Sequence, residues 1–480
     1  MQKKFLSSLG LILLLNLLVK PFFILGIDAE VQNRVGQEAY GTYFALLNLS
    51  FIFNIFIDFG INNFNNRNIS QNTQLIRKHF SKLFSVKGLL AFFYALFTLA
   101  LGIILGYKEG DFWILGVLVF NQVLVSFILF ARSNLAGLQM FKSDSVVSIL
   151  DRGLLIIFCG LLLFTNFSEG VFQIEWFVYL QTLAYASTLI ISLIMLAGHT
   201  GRLRWNLDKA FSIQIFKKSV PYALFILTGS MYTRVDGIMI ENILPNGSLH
   251  AGYYAQGYRF YEAAGMFAFL FAVLLLPIFS RMLKLGEDVK PMVNTSIRLL
   301  LGIGLFTAIV FYFNGEWVLR WRYINVTQES VDSFILLMFA FCGICLFYVF
   351  GTLMTANENL KALNIIAFSG LVLNLIFNFI LIPKYQAAGA AFTTMATQIF
   401  AGAMQLIFVV KAFKIKANWP LIFSFTIFVV SFILVNYLIE DQFDNGFYIF
   451  VLSSFSGLIL LMLSGTIQVR SIINFMKAEK

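Results

Sequence analysis

The stretch YTRVDGIMIENILPNGSLHAGYYAQGYRFYE, residues 232–262, joins the end of one apolar segment to the start of the next. Arg234, Asp236, Arg259 and Glu262 lie inside those segments, away from their ends. A charge at the centre of hydrocarbon costs about 2.5–3.5 kcal/mol on insertion scales and more in simulations. Charges kept there face a watery cavity that handles a substrate or an ion, or they pair to hold two helices together. From these residues alone both readings are open.

The surrounding chain makes hydrocarbon the relevant solvent. It has 480 residues, 59% hydrophobic and only 12% charged, with a mean hydropathy of +0.83, where a soluble domain has about 25% charged residues. Phenylalanine, at 56 residues, suits lipid-facing and helix-packing surfaces. A spanning helix needs about 20 mostly apolar residues. Fourteen segments qualify, at 5–27, 36–60, 80–106, 112–133, 145–165, 173–197, 218–242, 250–276, 294–313, 331–353, 361–382, 387–410, 418–439 and 446–468. Nothing between them is long enough for a soluble domain. The chain carries no glycine-rich phosphate loop, paired catalytic carboxylates or nucleophile elbow. Lys3 and Lys4 open the first segment like a signal peptide, but Lys20-Pro21 interrupts it and no small-residue cleavage site follows, so it reads as an uncleaved span.

Loop charges set the orientation. With the N-terminus in the cytoplasm, 25 of the 34 basic residues fall on the cytoplasmic side, Arg132 and Arg152 among them. Five fall outside: Arg34, Lys108, Arg320, Arg322 and Lys384. Such a bias supports fourteen spans with both termini cytoplasmic. It also accounts for the net charge of +10 without nucleic acid. Cys159, Cys342 and Cys345 sit in apolar runs with no second CxxC or nearby histidine, so they read as small packing residues. No metal or cofactor is expected.

A repeat is visible. Gly41-Thr-Tyr43 opens span 2 and Gly252-Tyr-Tyr254 opens span 8. Arg67 and Arg281 follow those spans, and LAGLQ (135–139) and LMTAN (353–357) close spans 4 and 10. The offsets of 211, 214 and 218 residues equal six spans, so the halves share one orientation. This divides the chain into a six-helix bundle at 1–200, a second at 201–416, and helices 13–14 with a tail at 417–480.

Counting 1.5 Å per residue from the outer ends, Arg234, Arg259 and Lys20 lie about 12, 13 and 10 Å deep. Three cations at one level would suit a diphosphate, which arginine's planar fork binds bidentately. Arg34 could extend that site outward. Glu262, three residues after Arg259, could instead neutralise it. Tyr254, Tyr258 and Tyr261 form an i, i+4, i+7 stripe that either stacks on sugar rings or packs as an aromatic belt. Asp58 lies near the level of Lys87. Asp58, Asp236, Glu241 and Glu262 are the candidate coupling carboxylates, for a proton or sodium ion. Pro221 and Pro277 break or end helices 7 and 8.

The stretch GQEAYGTYFALLNLSFIFNIFIDFGINNFNNRNIS, 36–70, resembles the second-span region of Wzx-type oligosaccharide flippases, in the multidrug/oligosaccharidyl-lipid/polysaccharide exporter superfamily. The matching residues are Tyr40-Gly41, Asp58 to Gly60, and Arg67, with Gly252-Tyr253-Tyr254 repeating the opening. LIPKYQAAGAAFTTMATQ, 381–398, resembles the link between helices 11 and 12. The resemblance covers the whole chain. It implies an all-α polytopic membrane protein of about fourteen transmembrane helices, two six-helix bundles plus two extra. It also implies a bacterial inner-membrane carrier of undecaprenyl-diphosphate oligosaccharide for O-antigen-like surface polysaccharide, working by alternating access beside a polysaccharide polymerase. Lipid II flippases carry arginines on their first, second and eighth helices. Lys20 and Arg259 sit at comparable places, Arg34 matches less well, and the full triad is missing. A drug/cation antiporter is the alternative within the superfamily. A membrane polymerase or ligase is the alternative of another class, but the outer loop at 314–330 holds few charges for one.

Overall fold

The structure is a computed structural model describing residues 16–165, 172–201, 205–416 and 418–466. Among these residues there is no strand, and eleven helical stretches are long and apolar enough to cross a membrane. One of them, Leu360–Ala412, is two helices joined across a kink at Gln386. Helix also occupies residues 16–28 and Lys209–Ile243, so each of the fourteen expected spans contains helix where it is described. Residues 5–15 of the first expected span, like Arg202, Arg204 and the tail from 467, lie outside the described residues. By packing, the chain divides into two compact units, Met1–Gly252 and Tyr253–Lys480.

The first unit opens with helical residues 16–22 and a π-helical turn, Phe23–Asp28, in which Ala29 N–H reaches back five residues to Ile24 O. Then come α1 (Ala29–Val35), α2 (Gln37–Ile52), α3 (Ile55–Asp58), α4 (Ile61–Gln71), α5 (Leu75–Ile104), α6 (Glu109–Gly137), α7 (Phe141–Phe164), α8 (Ile174–Ala197) and α9 (Lys209–Ile243). Gly36, at φ 83°, makes the turn between α1 and α2. The second span is broken twice, at Phe53–Asn54 and at Phe59–Gly60, where both residues are left-handed at φ 41° and 77°. Beyond the second break follows α4, an asparagine-rich helix that hydropathy alone does not reveal; Asn65 Nδ2 donates to Ser133 Oγ of α6 at 2.9 Å. Further along, Lys82 pairs with Asp208 at 2.8 Å, and Asn206 N–H donates to Ser85 Oγ at 2.9 Å.

The start of α10 (Gly247–Leu285) belongs to the first unit and the rest to the second. The second unit continues with α11 (Lys290–Arg322), α12 (Gln328–Ala356), α13 (Leu360–Ala412), α14 (Trp419–Gln442) and α15 (Gly446–Leu463). Lipid tails are as apolar as leucine, so helices associate by close packing rather than by escape from water. Glycines do this here: a Cβ on Gly343 would fall 2.5 Å from the Gln398 backbone, and one on Gly257 would fall 2.8 Å from the Phe334 Cα. At the Gln386 kink, with φ 53°, Glu329 accepts the Ala387 N–H at 2.8 Å and caps the restarted helix. α14 and α15 close on α11 through Phe428, Phe432, Leu461, Ile309 and Val310, with Phe306 and Phe432 stacked 5.9 Å apart. Large apolar side chains stay exposed along the outer helix faces, Phe92, Phe93 and Leu96 on α5 and Ile365 and Phe368 on α13 among them. That is the surface a bilayer requires, and it accounts for part of the phenylalanine content.

Candidate functional site

Within the first unit, the charged neighbours of Lys20 are Arg152, Asp151 and Arg132; Arg234 is not among them. No carboxylate lies within ion-pair distance of the Lys20 ammonium among the described residues. Arg152 stands twelve residues into α7, well inside the span and not in the inner loop to which its charge was counted. Its guanidinium lies over the rings of Phe23, at 4.9 Å, and Tyr185, at 5.8 Å, and donates to the Tyr185 hydroxyl at 3.1 Å. Asp151 approaches it only to 3.8 Å. Arg132 is engaged by Asp144 at 2.7 Å. Sequence reasoning therefore missed Arg152. The available signal was a cation seven residues past the start of an expected span, which charge counting passed over.

Arg234 has a different setting. Its Nη1 donates to the Asn48 amide oxygen at 3.2 Å and its guanidinium lies 4.6 Å from the Phe51 ring. Gly237, one turn on, lets α9 approach α2, since a Cβ there would fall 2.7 Å from the Phe44 ring. The side-chain contacts of Arg234 are thus with α2 residues. Depth follows from counting residues, but the face a helix turns inward is set by packing. Arg34 is half exposed and pairs with Glu30 at 3.2 Å, while reaching the Leu163 carbonyl at 3.2 Å.

In the second unit, Arg259 is 5% exposed and pairs with Glu262 at 2.8 Å, the neutralising arrangement the spacing allowed. Tyr254 and Tyr258 are buried, with ring centroids 5.6 Å apart, and the Tyr254 hydroxyl meets that of Thr394 at 3.4 Å. These tyrosines are buried and do not form an exposed belt. Gln256 Nε2 ties the same helix to the Asn325 carbonyl at 2.9 Å.

The coupling candidates divide the same way. Asp58, at the end of α3, holds Lys87 at 2.9 Å, and Ser126 Oγ accepts from that ammonium at 2.9 Å. Asp236 is 1% exposed on α9. Glu262 is engaged by Arg259. Glu241 accepts the Tyr107 hydroxyl at 2.6 Å and the Ser248 hydroxyl at 3.4 Å. A further carboxylate outside these candidates, Asp28, is buried and accepts the Tyr40 hydroxyl at 2.5 Å. Among the described residues, no group of three or more His, Cys, Asp or Glu side chains is placed to hold a metal ion.

Residues 7–283 match the family described as a polysaccharide biosynthesis protein. The chain belongs to that family. It is 28% identical over 216 residues to the capsular polysaccharide biosynthesis protein CapF of Staphylococcus aureus, covering 41% of this chain. The match takes in 53% of CapF, so the chain spans about half the length of that curated relative. Among solved structures, the lipid II flippase MurJ in an inward closed conformation matches with a TM-score of 0.74 at 15% identity, over 97% of this chain and 99% of that one. A point mutant of the Vibrio cholerae MATE transporter VcmN matches with a TM-score of 0.56 at 17% identity, over 86% and 97%. The structural likenesses establish the fold, which this chain shares with that flippase and that transporter. The protein is a multi-pass membrane protein of this polysaccharide biosynthesis family.

Proposed function

We propose that this chain moves a polyprenyl-diphosphate-linked oligosaccharide from the inner to the outer leaflet of a bacterial cytoplasmic membrane, by alternating access, for surface polysaccharide assembly. A polymerase acting on the delivered units is its natural partner. The observation that carries this reading is Lys20, an ammonium inside a span with no carboxylate at ion-pair distance and with Arg152 as a neighbouring cation. Asp151 reaches Arg152 at 3.8 Å but not Lys20, and a cation kept in a membrane protein without a carboxylate beside it favours an anionic ligand. A diphosphate would supply an anion for both, and an arginine fork suits its oxygens. Arg234 and Arg259 remain candidates for the same substrate, with Arg34 at the outer end and Tyr254 and Tyr258 for its sugars.

The purified chain in liposomes is expected to carry a fluorescent polyprenyl-diphosphate oligosaccharide between leaflets, read as loss of signal to a membrane-impermeant quencher. A labelled phospholipid should remain where it is. Equal movement of both, or of neither, would overturn the assignment.

A further inference from the structure

Where the two halves of α13 meet, the chain makes a turn that one carboxylate holds in place. Glu329 of α12 accepts the Ala387 N–H at 2.8 Å. Gly389 lets the restarted helix lie against the one before it, since a Cβ there would fall 2.4 Å from the Leu381 carbonyl oxygen. The turn and the first residues of α12 are therefore fixed relative to one another, and the charge bias of the loops puts them on the outer side. Beside them opens a groove of about 610 Å³ between α11, α12 and α13. Ile335, Leu336, Leu381 and Phe392 wall it. The polar side chains along it are those of Asp332, Tyr312 and Tyr385.

Asp332 is exposed, and its carboxylate accepts from Gln328 Nε2, four residues earlier, at 2.9 Å. Among the described residues, no lysine, arginine or histidine lies at ion-pair distance from it. Lys384, the residue before Tyr385, is exposed on the turn and likewise pairs with no carboxylate among the described residues. The two opposite charges thus stand on the two elements that Glu329 fastens together, and they do not close on each other. Tyr312 and Tyr385 are exposed as well. Charges held apart in this way match a headgroup with an ammonium at one end and a phosphate at the other, and the apolar walls match an acyl chain. A primary ammonium brings three N–H donors for the Asp332 carboxylate and a phenol oxygen. A quaternary ammonium brings none, and an anionic headgroup meets Asp332 as a like charge.

We propose that this groove binds a phospholipid with a primary-amine headgroup, of the phosphatidylethanolamine class. The headgroup ammonium donates to Asp332, the Lys384 ammonium and the Tyr385 hydroxyl donate to the phosphate, and one acyl chain lies along Ile335, Leu336, Leu381 and Phe392. None of these residues is assigned to the transported substrate, so the site can be tested without transport and can fail separately from the flippase reading.

The experiment uses the purified full chain, stripped of lipid in detergent. It is titrated with an equimolar mixture of phosphatidylethanolamine, phosphatidylcholine and phosphatidylglycerol carrying the same acyl chains, and bound lipids are counted by native mass spectrometry. The wild type is expected to retain phosphatidylethanolamine first. Asp332→Asn keeps an acceptor for Gln328 but removes the charge. It should weaken phosphatidylethanolamine binding roughly tenfold, the worth of one hydrogen bond to a charged group, and leave the other two lipids unchanged. Asp332→Lys should turn the preference towards phosphatidylglycerol. Equal retention of the three lipids by the wild type, a wild-type preference for phosphatidylcholine or phosphatidylglycerol, or a phosphatidylethanolamine preference that survives Asp332→Asn would each overturn the proposal. The Asp332→Asn arm stands even if Asp332→Lys does not fold.

Discussion

Lys87 Nζ lies 2.9 Å from Asp58 Oδ1 with none of the lysine side chain exposed, at the point where the second span breaks. The ammonium has three acceptors: Asp58, the Ser126 hydroxyl and, at 3.4 Å, the Ile57 carbonyl. Its three protons are thus matched by three oxygens, and the α3–α4 break presents the carbonyl and the carboxylate that make this possible.

Removing one partner of a buried pair costs about 3–5 kcal/mol, because the other charge is left behind. Lys87→Met and Asp58→Asn are each expected to lower the melting temperature in detergent sharply. The double variant, which leaves no charge, should recover most of that loss. Additive losses in a thermal unfolding series would show that the two residues are not coupled.

The Arg259–Glu262 pair separates stability from transport. Arg259→Gln should lower both the amount of folded protein and surface polysaccharide. The reversed pair, Arg259→Glu with Glu262→Arg, should restore folded protein through the same i,i+3 contact, worth about 0.2–0.5 kcal/mol on an exposed helix and more when buried. If Arg259 also serves the substrate, export stays low in the reversed pair. Full export in that variant, measured as surface polysaccharide against protein level, would make the pair structural alone.

Arg152 should be sensitive to shape as well as charge. Arg152→Lys keeps the cation but loses the planar contact with Phe23 and Tyr185 and the bidentate fork. It is expected to reduce transport of the labelled lipid about as much as Arg152→Gln, with normal protein levels. Wild-type rates for Arg152→Gln would exclude this residue from the substrate path.

Gly41→Ala places a methyl group inside the distance of any real contact with Ser248. The cost of such overpacking is about 1–3 kcal/mol, and it falls on the packing of α2 against the start of α10. The variant should raise labelling of a cysteine at position 37 by a membrane-impermeant reagent. Unchanged labelling would mean that α2 and the α9–α10 turn do not hold this contact in the membrane.

The charge bias predicts sidedness directly. A single cysteine at position 110 should react with an impermeant reagent added outside intact cells, and one at position 205 or 286 should not. The opposite pattern would invert the topology.

Much of the fold was legible because a hydrocarbon solvent imposes a single-valued rule: about 20 apolar residues, then a break. The division of α13 near Gln386 was readable from Pro383 and the polar residues around it, and the Arg259–Glu262 and Asp58–Lys87 contacts from helical spacing or shared depth. The azimuth of each helix was not readable. It decides that Arg152 lies over Phe23 and Tyr185 and that Arg234 stacks on Phe51, and it is fixed by glycine contacts such as Gly237 on Phe44, between residues far apart in the chain. The small helix α4 was equally hidden, because asparagines carry little hydropathy signal and have modest helix propensity.

The π-helical turn at Phe23–Asp28 adds one residue to a turn of the first span. A helix that takes in an extra residue advances the phase of everything after it by about 100°, one residue's share of a turn of 3.6. The meeting of Asp28 with the Tyr40 hydroxyl therefore depends on a wider turn in the ladder. Shortening the chain by one residue between Phe23 and Ile27 would restore an ordinary helix and rotate Asp28 off its partner, with the composition of the span almost unchanged. Two relatives of nearly identical hydropathy could thus differ in whether that carboxylate faces the helix core, a distinction carried by length alone.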